Sequence, residues 1–241
     1  NASATAAATL SLANATGLET ATVSGVTGGT FTLKGLASST AVSLSDSTQA
    51  HTVTYNDVTG TADSASITVG SITGAAAITV AGVETLTLAS SGDTNSIDLE
   101  AAAATSLTVS GASDLTIAAL ATGATDFLTS IDGSAMTGEF TVTTGALDTG
   151  STAVTISGGA GNDTIYGGAN GLDEWGNAGE DVAIFSGNES DYTVSFYDSD
   201  GESANSYQDD GYIKVVDSRT TDGVAEGTDK LYGVEGIEFA D

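Results

Sequence analysis

The stretch that decides the fold runs from Gly158 to Phe185 and reads GGAGNDTIY, GGANGLDEW and GNAGEDVAIF. It contains three successive nine-residue units starting at Gly158, Gly167 and Gly176. The first unit matches the repeat G-G-x-G-x-D-x-U-x, in which U is a large apolar residue. Six residues of this repeat form a turn, which we expect to need glycine's freedom at positive φ, and three form a short strand. Two units therefore close one coil of a parallel β-roll.

The spacing of two aspartates points to a cation. Asp163 and Asp181 each occupy the sixth position of their unit and lie 18 residues, or one coil, apart. Stacked coils are separated by roughly 4.8 Å, where two carboxylates repel by about 1 kcal/mol in bulk water and by more at lower dielectric. A cation between them would remove this repulsion. Oxygen ligands favour Ca²⁺ over zinc or copper, so the spacing predicts a calcium-clamped roll.

The composition narrows the classes of partner. The chain has 241 residues, 32 of them acidic and 4 basic, and its net charge of −28 argues against nucleic-acid binding and against attachment to anionic lipid. Divalent cations are the natural partners, although acidic surfaces also keep extracellular proteins soluble. Without cysteine the chain has no disulfides or thiol chemistry, and bound calcium would replace that cross-linking. No apolar run reaches the ~18 residues that span a bilayer, so we expect no membrane insertion.

Residues 1–150 are rich in Thr, Ala and Gly and contain short β-prone runs separated by small-residue turns. The strand-and-turn unit recurs imperfectly, as in SLTVSGASDLTIAAL, and recurrence of this kind indicates a solenoid. A β-sandwich also has short strands and regular turns. We favour the solenoid because the residues are small, large core aromatics are missing and proline, which interrupts strand ladders, is absent.

The remaining residues divide in two. Residues 151–190 form the predicted calcium-binding roll. Residues 191–241 contain the aromatic runs DYTVSFYD, YIKVVD and KLYGVEGIEFAD, which we interpret as strands of an antiparallel cap over the open end of the solenoid. The predicted fold is therefore all-β: a right-handed parallel β-helix or β-roll solenoid with a C-terminal antiparallel β cap.

The sequence is poor in catalytic chemistry. His51 is the only histidine, and we expect it to be an ordinary polar strand residue. Neither H-E-x-x-H nor G-x-S-x-G is present, and the four basic residues are few beside those that β-helical polysaccharide lyases use. We therefore predict no enzyme. Trp175 could stack on a carbohydrate, but we expect it to pack as core over the middle unit.

The segments GGAGNDTIYGG, GEDVAIFSGNESDYTV and GTDKLYGVEGIEFAD resemble the repeats-in-toxin group, also called hemolysin-type calcium-binding proteins, over residues 158–241. Upstream, LTSIDGSAMTGEFTVTTG is similar to β-helical segments of bacterial surface-layer proteins of that group. The resemblance implies export through a type I channel with an uncleaved C-terminal signal, and folding on meeting extracellular calcium. It also implies that the calcium ligands are Asp163 and Asp181, with carbonyl groups from the turns at Gly158, Ala160, Gly176 and Ala178.

The middle unit departs from the repeat, with Leu172 in sixth position and Asp173 in seventh. Asp191 lies 18 residues beyond Asp173. A slip of register could preserve this pair as a second site, with Asn170 as another oxygen donor. Alternatively Asp191 caps the strand DYTV, and we favour that second interpretation.

The sequence thus predicts an extracellular, calcium-dependent structural protein that self-assembles into a surface layer, filament or matrix. One alternative is an adhesin segment that binds a glycan, such as a cell-surface polysaccharide, or a neighbouring cell. The other is the secretion tail of an enzyme whose catalytic part lies outside these residues.

Overall fold

The computed structural model describes residues 5–121, 128–144, 154–166, 172–206, 211–219 and 226–241. In these ranges the chain forms stacked parallel coils followed by antiparallel strands at the C-terminal end, which confirms the predicted solenoid over the sandwich. No helix in these ranges is long and apolar enough to cross a membrane.

Each regular coil contributes one strand to each of two sheets. In the described residues the first sheet has ten strands in the order β1 (Ala8–Ser11), β3 (Phe31–Leu36), β5 (His51–Tyr55), β7 (Ala76–Ala81), β9 (Asn95–Glu100), β11 (Leu115–Ala121), β13 (Phe140–Thr143), β15 (Thr164–Tyr166), β17 (Val182–Ile184) and β22 (Gly236–Glu238). The second has twelve, in the order β19 (Ser203–Ala204), β18 (Tyr192–Tyr197), β20 (Tyr212–Asp217), β21 (Thr228–Tyr232), β16 (Leu172–Trp175), β14 (Val154–Ser157), β12 (Ser130–Met136), β10 (Ser106–Gly111), β8 (Thr85–Ser91), β6 (Ser64–Ile72), β4 (Ala41–Ser47) and β2 (Thr20–Ser24).

The interior consists of columns of apolar side chains, one from each coil. Alternate residues of a strand point inward, so in-register parallel strands place inward residues directly above one another. One such column in the second sheet is Ala21, Val42, Ile67, Leu88 and Val109, all buried. Each coil therefore buries its apolar face against its neighbours, as the recurring strand-and-turn unit predicted.

The apolar core continues from the first coils into the nonapeptide region. One buried cluster extends from Ala21 to Leu172, and a second one, from Ala183 to Val234, fills the junction with the cap. The predicted boundary at residue 150 falls within residues 145–153, outside the described ranges.

The C-terminal segment differs in part from the predicted cap. Strands β18, β20 and β21 pair antiparallel, as expected for the aromatic runs. However, β21 also pairs parallel with β16, and β22 pairs parallel with β17. The stretch KLYGVEGIEFAD therefore completes a last solenoid coil, because the chain leaves the coils after β17 and returns to them at β21.

Trp175 is 43 % exposed, so the prediction that it belongs to the core is wrong. It ends β16 facing outward, because the alternation of the strand aims its neighbour Glu174 inward. Its ring stacks on Tyr232 of β21 with centroids 4.1 Å apart and an interplanar angle of 6°. Tyr212 and Tyr197 continue this row of rings across the cap. Trp175 therefore joins solenoid and cap from the outside.

Candidate metal centre

The predicted calcium ligands Asp163 and Asp181 lie one above the other. Strands β15 and β17 pair in parallel with Thr164 opposite Val182, which places the preceding aspartates at equivalent points of consecutive coils. The backbone N–H of Asp163 donates to Oδ1 of Asp181 at 2.7 Å. The 18-residue count therefore predicted this stacking correctly.

Both aspartates are buried, with 1 % and 2 % of their surface exposed. Asp163 accepts two backbone hydrogen bonds, from the N–H of Phe140 at 2.8 Å and from that of Gly159 at 2.5 Å. Oδ2 of Asp181 is buried and has no hydrogen-bond partner in the part of the chain that the structure describes. Buried carboxylate oxygens normally have partners, so this atom is available to a cation.

The pKa shifts of the two carboxyl groups are those expected of a cation-binding site. Burial, together with the charges of Asp163 and Glu235, raises the pKa of Asp181 to about 6, although the backbone N–H of Asp163 opposes the rise. Burial also raises the pKa of Asp163, against the effect of its two backbone hydrogen bonds. Two carboxylates are thus held where ionisation is unfavourable without a nearby cation.

The turns require glycine for close packing more than for unusual dihedral angles. A Cβ at Gly158 would collide with the Asp163 carboxylate, and one at Gly176 would collide with the Gly233 carbonyl and the Asp181 carboxylate. Neither glycine has a positive φ; the positive values in these turns occur at Asn177 (φ 77°) and Gly179 (φ 146°). The expectation of positive φ at the repeat glycines is therefore wrong at Gly158 and Gly176 and correct at Gly179.

The residues predicted to supply carbonyl ligands lie in the same two turns. The Gly158 carbonyl accepts a hydrogen bond from Nδ2 of Asn177 at 2.9 Å. The N–H groups of Ala160 and Ala178 donate to the carbonyls of Met136 and Gly159, one coil earlier. The N–H of Gly176 donates in the other direction, to the Tyr232 carbonyl of the next coil. The bonds from Asn177 and Ala178 join the two turns to each other, and those from Ala160 and Gly176 join them to the coils on either side.

The donor set suits a hard cation. Across the described ranges no three His, Cys, Asp or Glu side chains are grouped to hold a metal. An ion at Asp163 and Asp181 would therefore need backbone carbonyls or water as additional ligands, and both are ordinary ligands of Ca²⁺. The residues fit this ion, since each carboxylate oxygen has two lone pairs and one oxygen is wholly free.

The second predicted pair is not formed. Asp173 lies beside Lys230 in the register of the sheet, not beside Asp191. Asp191 ends a 3₁₀ turn (Glu189–Asp191), where its carboxylate accepts the N–H of Asn188 at 3.1 Å. Asp191 directly precedes β18, as that alternative expected, but its carboxylate caps the 3₁₀ turn and not the strand. Asn170 lies outside the described residues.

Two further carboxylates accept a backbone N–H from the neighbouring coil, and the sequence analysis predicted neither of them. Glu235 accepts the N–H of Asp181 at 2.9 Å, and Asp229 accepts the N–H of Leu172 at 2.6 Å. The first contact repeats, one coil on, what Asp181 does for Asp163, and the second is its equivalent in the other sheet. They join residues 54 and 57 positions apart, so no local spacing predicts them. The sequence GTDKLY, which repeats the G-x-D-x-U-x ending of a unit, was the available signal for Asp229.

His51 is buried, and its Nε2 lies 3.0 Å from the hydroxyl of Ser47. Burial lowers the pKa of this histidine, and its Nδ1 has no hydrogen-bond partner. Ser47 is also buried and donates to the carbonyl of Val26. The pair therefore packs inside the coils at the end of β4, where a substrate would have no access.

Comparison with known proteins found no match among protein-family models, curated proteins or solved structures. The resemblance to the repeats-in-toxin group therefore depends on the motif residues themselves.

Proposed function

We propose that the chain is a calcium-stabilised structural protein of the cell exterior, which assembles with other copies into a surface layer, filament or matrix. The observation that supports this most is the pair Asp163 and Asp181. They are stacked one coil apart, buried, and provided with a free oxygen at Asp181 Oδ2.

Calcium at this pair would hold the end of the solenoid closed. Asp163, Asp181 and Glu235 are linked through successive backbone N–H groups across three coils. Their negative charges oppose this stacking until a cation neutralises them. Because the last coil is built from β21 and β22, which return from the cap, an ion here would fix the cap to the solenoid. Extracellular modules bind calcium with dissociation constants of about 10⁻⁴ to 10⁻³ M, so folding would depend on external calcium.

Calcium would also act between copies, because the chain is strongly acidic. A chain with a net charge of −28 repels its own copies. Divalent cations that bind acidic faces reduce this repulsion, and the extended side of a solenoid offers a long surface for contact. Calcium would thus act twice, first on the fold and then on the contacts between copies.

Electron microscopy tests this proposal. We expect the purified chain to form ordered layers or filaments in millimolar calcium, and EGTA to dissolve them. Circular dichroism of the Asp163→Asn, Asp181→Asn double variant should show a fold that no longer needs calcium, whereas Asp93→Asn, which removes one exposed charge, should behave as wild type. A monodisperse monomer with and without calcium would contradict the structural role. Glycan binding by that monomer would instead support the adhesin alternative.

A further inference from the structure

A carboxylate lies in the interior of the last regular coil, at a position where the repeat has an apolar side chain. In the first unit the sixth residue is Asp163 and the eighth is Ile165, and both are buried. In the middle unit the acidic and the apolar residue are exchanged: the sixth residue is Leu172 and the eighth is Glu174. Glu174 has 0 % exposure and lies in a column between Ile156 and Leu231.

A second carboxylate faces the same interior from the next strand. Asp229 lies on β21, one strand from Glu174 and two residues before Leu231, and is 1 % exposed. Its Oδ1 accepts the N–H of Leu172. Its Oδ2 and both carboxylate oxygens of Glu174 are buried and have no hydrogen-bond partner among the described residues. These three oxygens therefore belong to two inward-pointing side chains of adjacent strands, since Glu174 lies opposite Leu231, two residues from Asp229.

The neighbouring charges do not compensate these carboxylates. Asp217 and Glu226 add negative charge, and Arg219 forms ion pairs with both of them, at 2.7 Å and 3.2 Å. Lys230 lies on the same strand as Asp229, but alternation turns it to the outer face, toward the ring of Tyr212. No ion pair of the described ranges involves Glu174 or Asp229. An ionised carboxylate buried in this way costs several kcal/mol unless a counter-charge is present.

We propose that Glu174 and Asp229 bind a divalent cation, Ca²⁺ by preference, at the junction of the last coil and the cap. The free donors are all oxygens, which hard cations prefer. One doubly charged ion balances the two carboxylates. Since no third acidic side chain converges with them in the described structure, water or backbone carbonyls would complete the shell. This site is separate from Asp163 and Asp181, and it would tie β16 to β21.

The competing explanation is a pair of protonated acids. Burial, then the nearby carboxylates, raises the pKa of Glu174 well above its usual range, and burial chiefly raises the pKa of Asp229 to about 8. Without an ion these shifts favour the protonated form of both groups. If a cation displaces these protons, calcium should stabilise the junction. If both acids stay protonated, calcium should not change the stability of the junction.

Counting bound calcium by native mass spectrometry separates these cases. We expect Glu174→Leu to lose one bound ion relative to wild type, and Asp173→Asn, an outward-facing neighbour with the same charge, to lose none. Leucine restores the apolar column of the repeat, so this variant should fold and should unfold at a higher temperature than wild type in EGTA. Asp229→Asn, which retains an oxygen for the Leu172 N–H, should also lose one ion.

The adjacent tryptophan gives a second readout. Trp175 is the only tryptophan, and in the Asp163→Asn, Asp181→Asn background its excitation should sensitise the luminescence of bound Tb³⁺. Glu174→Leu should abolish this signal and Asp173→Asn should preserve it. An unchanged ion count and unchanged luminescence in Glu174→Leu would overturn the inference. Because the background lacks the first site, this outcome is independent of the test of the proposed function.

Discussion

Replacing Asp181 by asparagine should stabilise the chain in the absence of calcium and reduce its stabilisation by calcium. The pKa of Asp181 rises from its ordinary 3.8 to about 6 in the folded chain, mainly through burial. The folded state therefore holds this proton more tightly than the unfolded state does. The resulting stability is fully present below pH 3.8 and is lost as the pH rises through about 6.

The size of the effect follows from the two pKa values. The difference between 3.8 and about 6, at about 1.4 kcal/mol per pKa unit, corresponds to about 3 kcal/mol as an upper bound. The substituted asparagine would keep an Oδ1 that accepts the N–H of Asp163, but it has no charge to bury. In EGTA at pH 7 Asp181→Asn should therefore exceed wild type in unfolding free energy by up to about 3 kcal/mol, and below pH 4 the two should converge.

Urea denaturation in EGTA and in millimolar calcium, at both pH values, measures these free energies. Calcium should raise the stability of wild type at pH 7 by more than it raises that of Asp181→Asn, in which only the ion proposed at Glu174 and Asp229 remains. The exposed control Asp93→Asn should follow wild type throughout. A less stable Asp181→Asn variant in EGTA, with the same gain from calcium as wild type, would refute the reasoning.

Three further substitutions test other contacts. Gly176→Ala should destabilise the chain by about 1–3 kcal/mol in thermal unfolding, because the added Cβ would collide with the Gly233 carbonyl. The control Gly60→Ala should have little effect, because its Cβ meets only the Asp63 side chain. Arg219→Met should lower the free energy of unfolding by about 3–5 kcal/mol, because it leaves Asp217 and Glu226 without their counter-charge. Hydrogen exchange should then accelerate in β18 and β20, while β4 to β8 stay protected. Trp175→Ala should cost about 1 kcal/mol beyond lost burial by removing the stack on Tyr232, and an unchanged melting temperature would show that the ring does not hold the cap.

The regular part of the fold follows directly from local spacing. A nine-residue repeat with two units per coil requires residues 18 apart to stack, and Thr164 does lie opposite Val182. Val154 likewise lies opposite Leu172, although that unit departs from the repeat. Upstream the coil length varies, from 20 residues between Phe31 and His51 to 27 between His51 and Ile78. The strands there were predictable, but the register was not.

The contacts that Glu235 and Asp229 make with the coils could not be predicted from local spacing. Glu235 and Asp229 reach the coils only after the chain has formed the cap and returned, so their partners are far away in sequence. Counting by 18 from Asp173 leads instead to Asp191, which lies in the 3₁₀ turn. The outward orientation of Trp175 was predictable from strand alternation, since Leu172 and Glu174 of the same strand point inward. Its apolar character alone favoured the core, and the alternation of the strand outweighs that preference.

A crystal structure of the chain grown in millimolar calcium is the most direct test of the central claim. We predict an ion at the turns of Asp163 and Asp181, with Oδ2 of Asp181 among its ligands at roughly 2.3–2.6 Å. An Asp181 Oδ2 that contacts only water or a protein donor at that calcium concentration would contradict the calcium clamp.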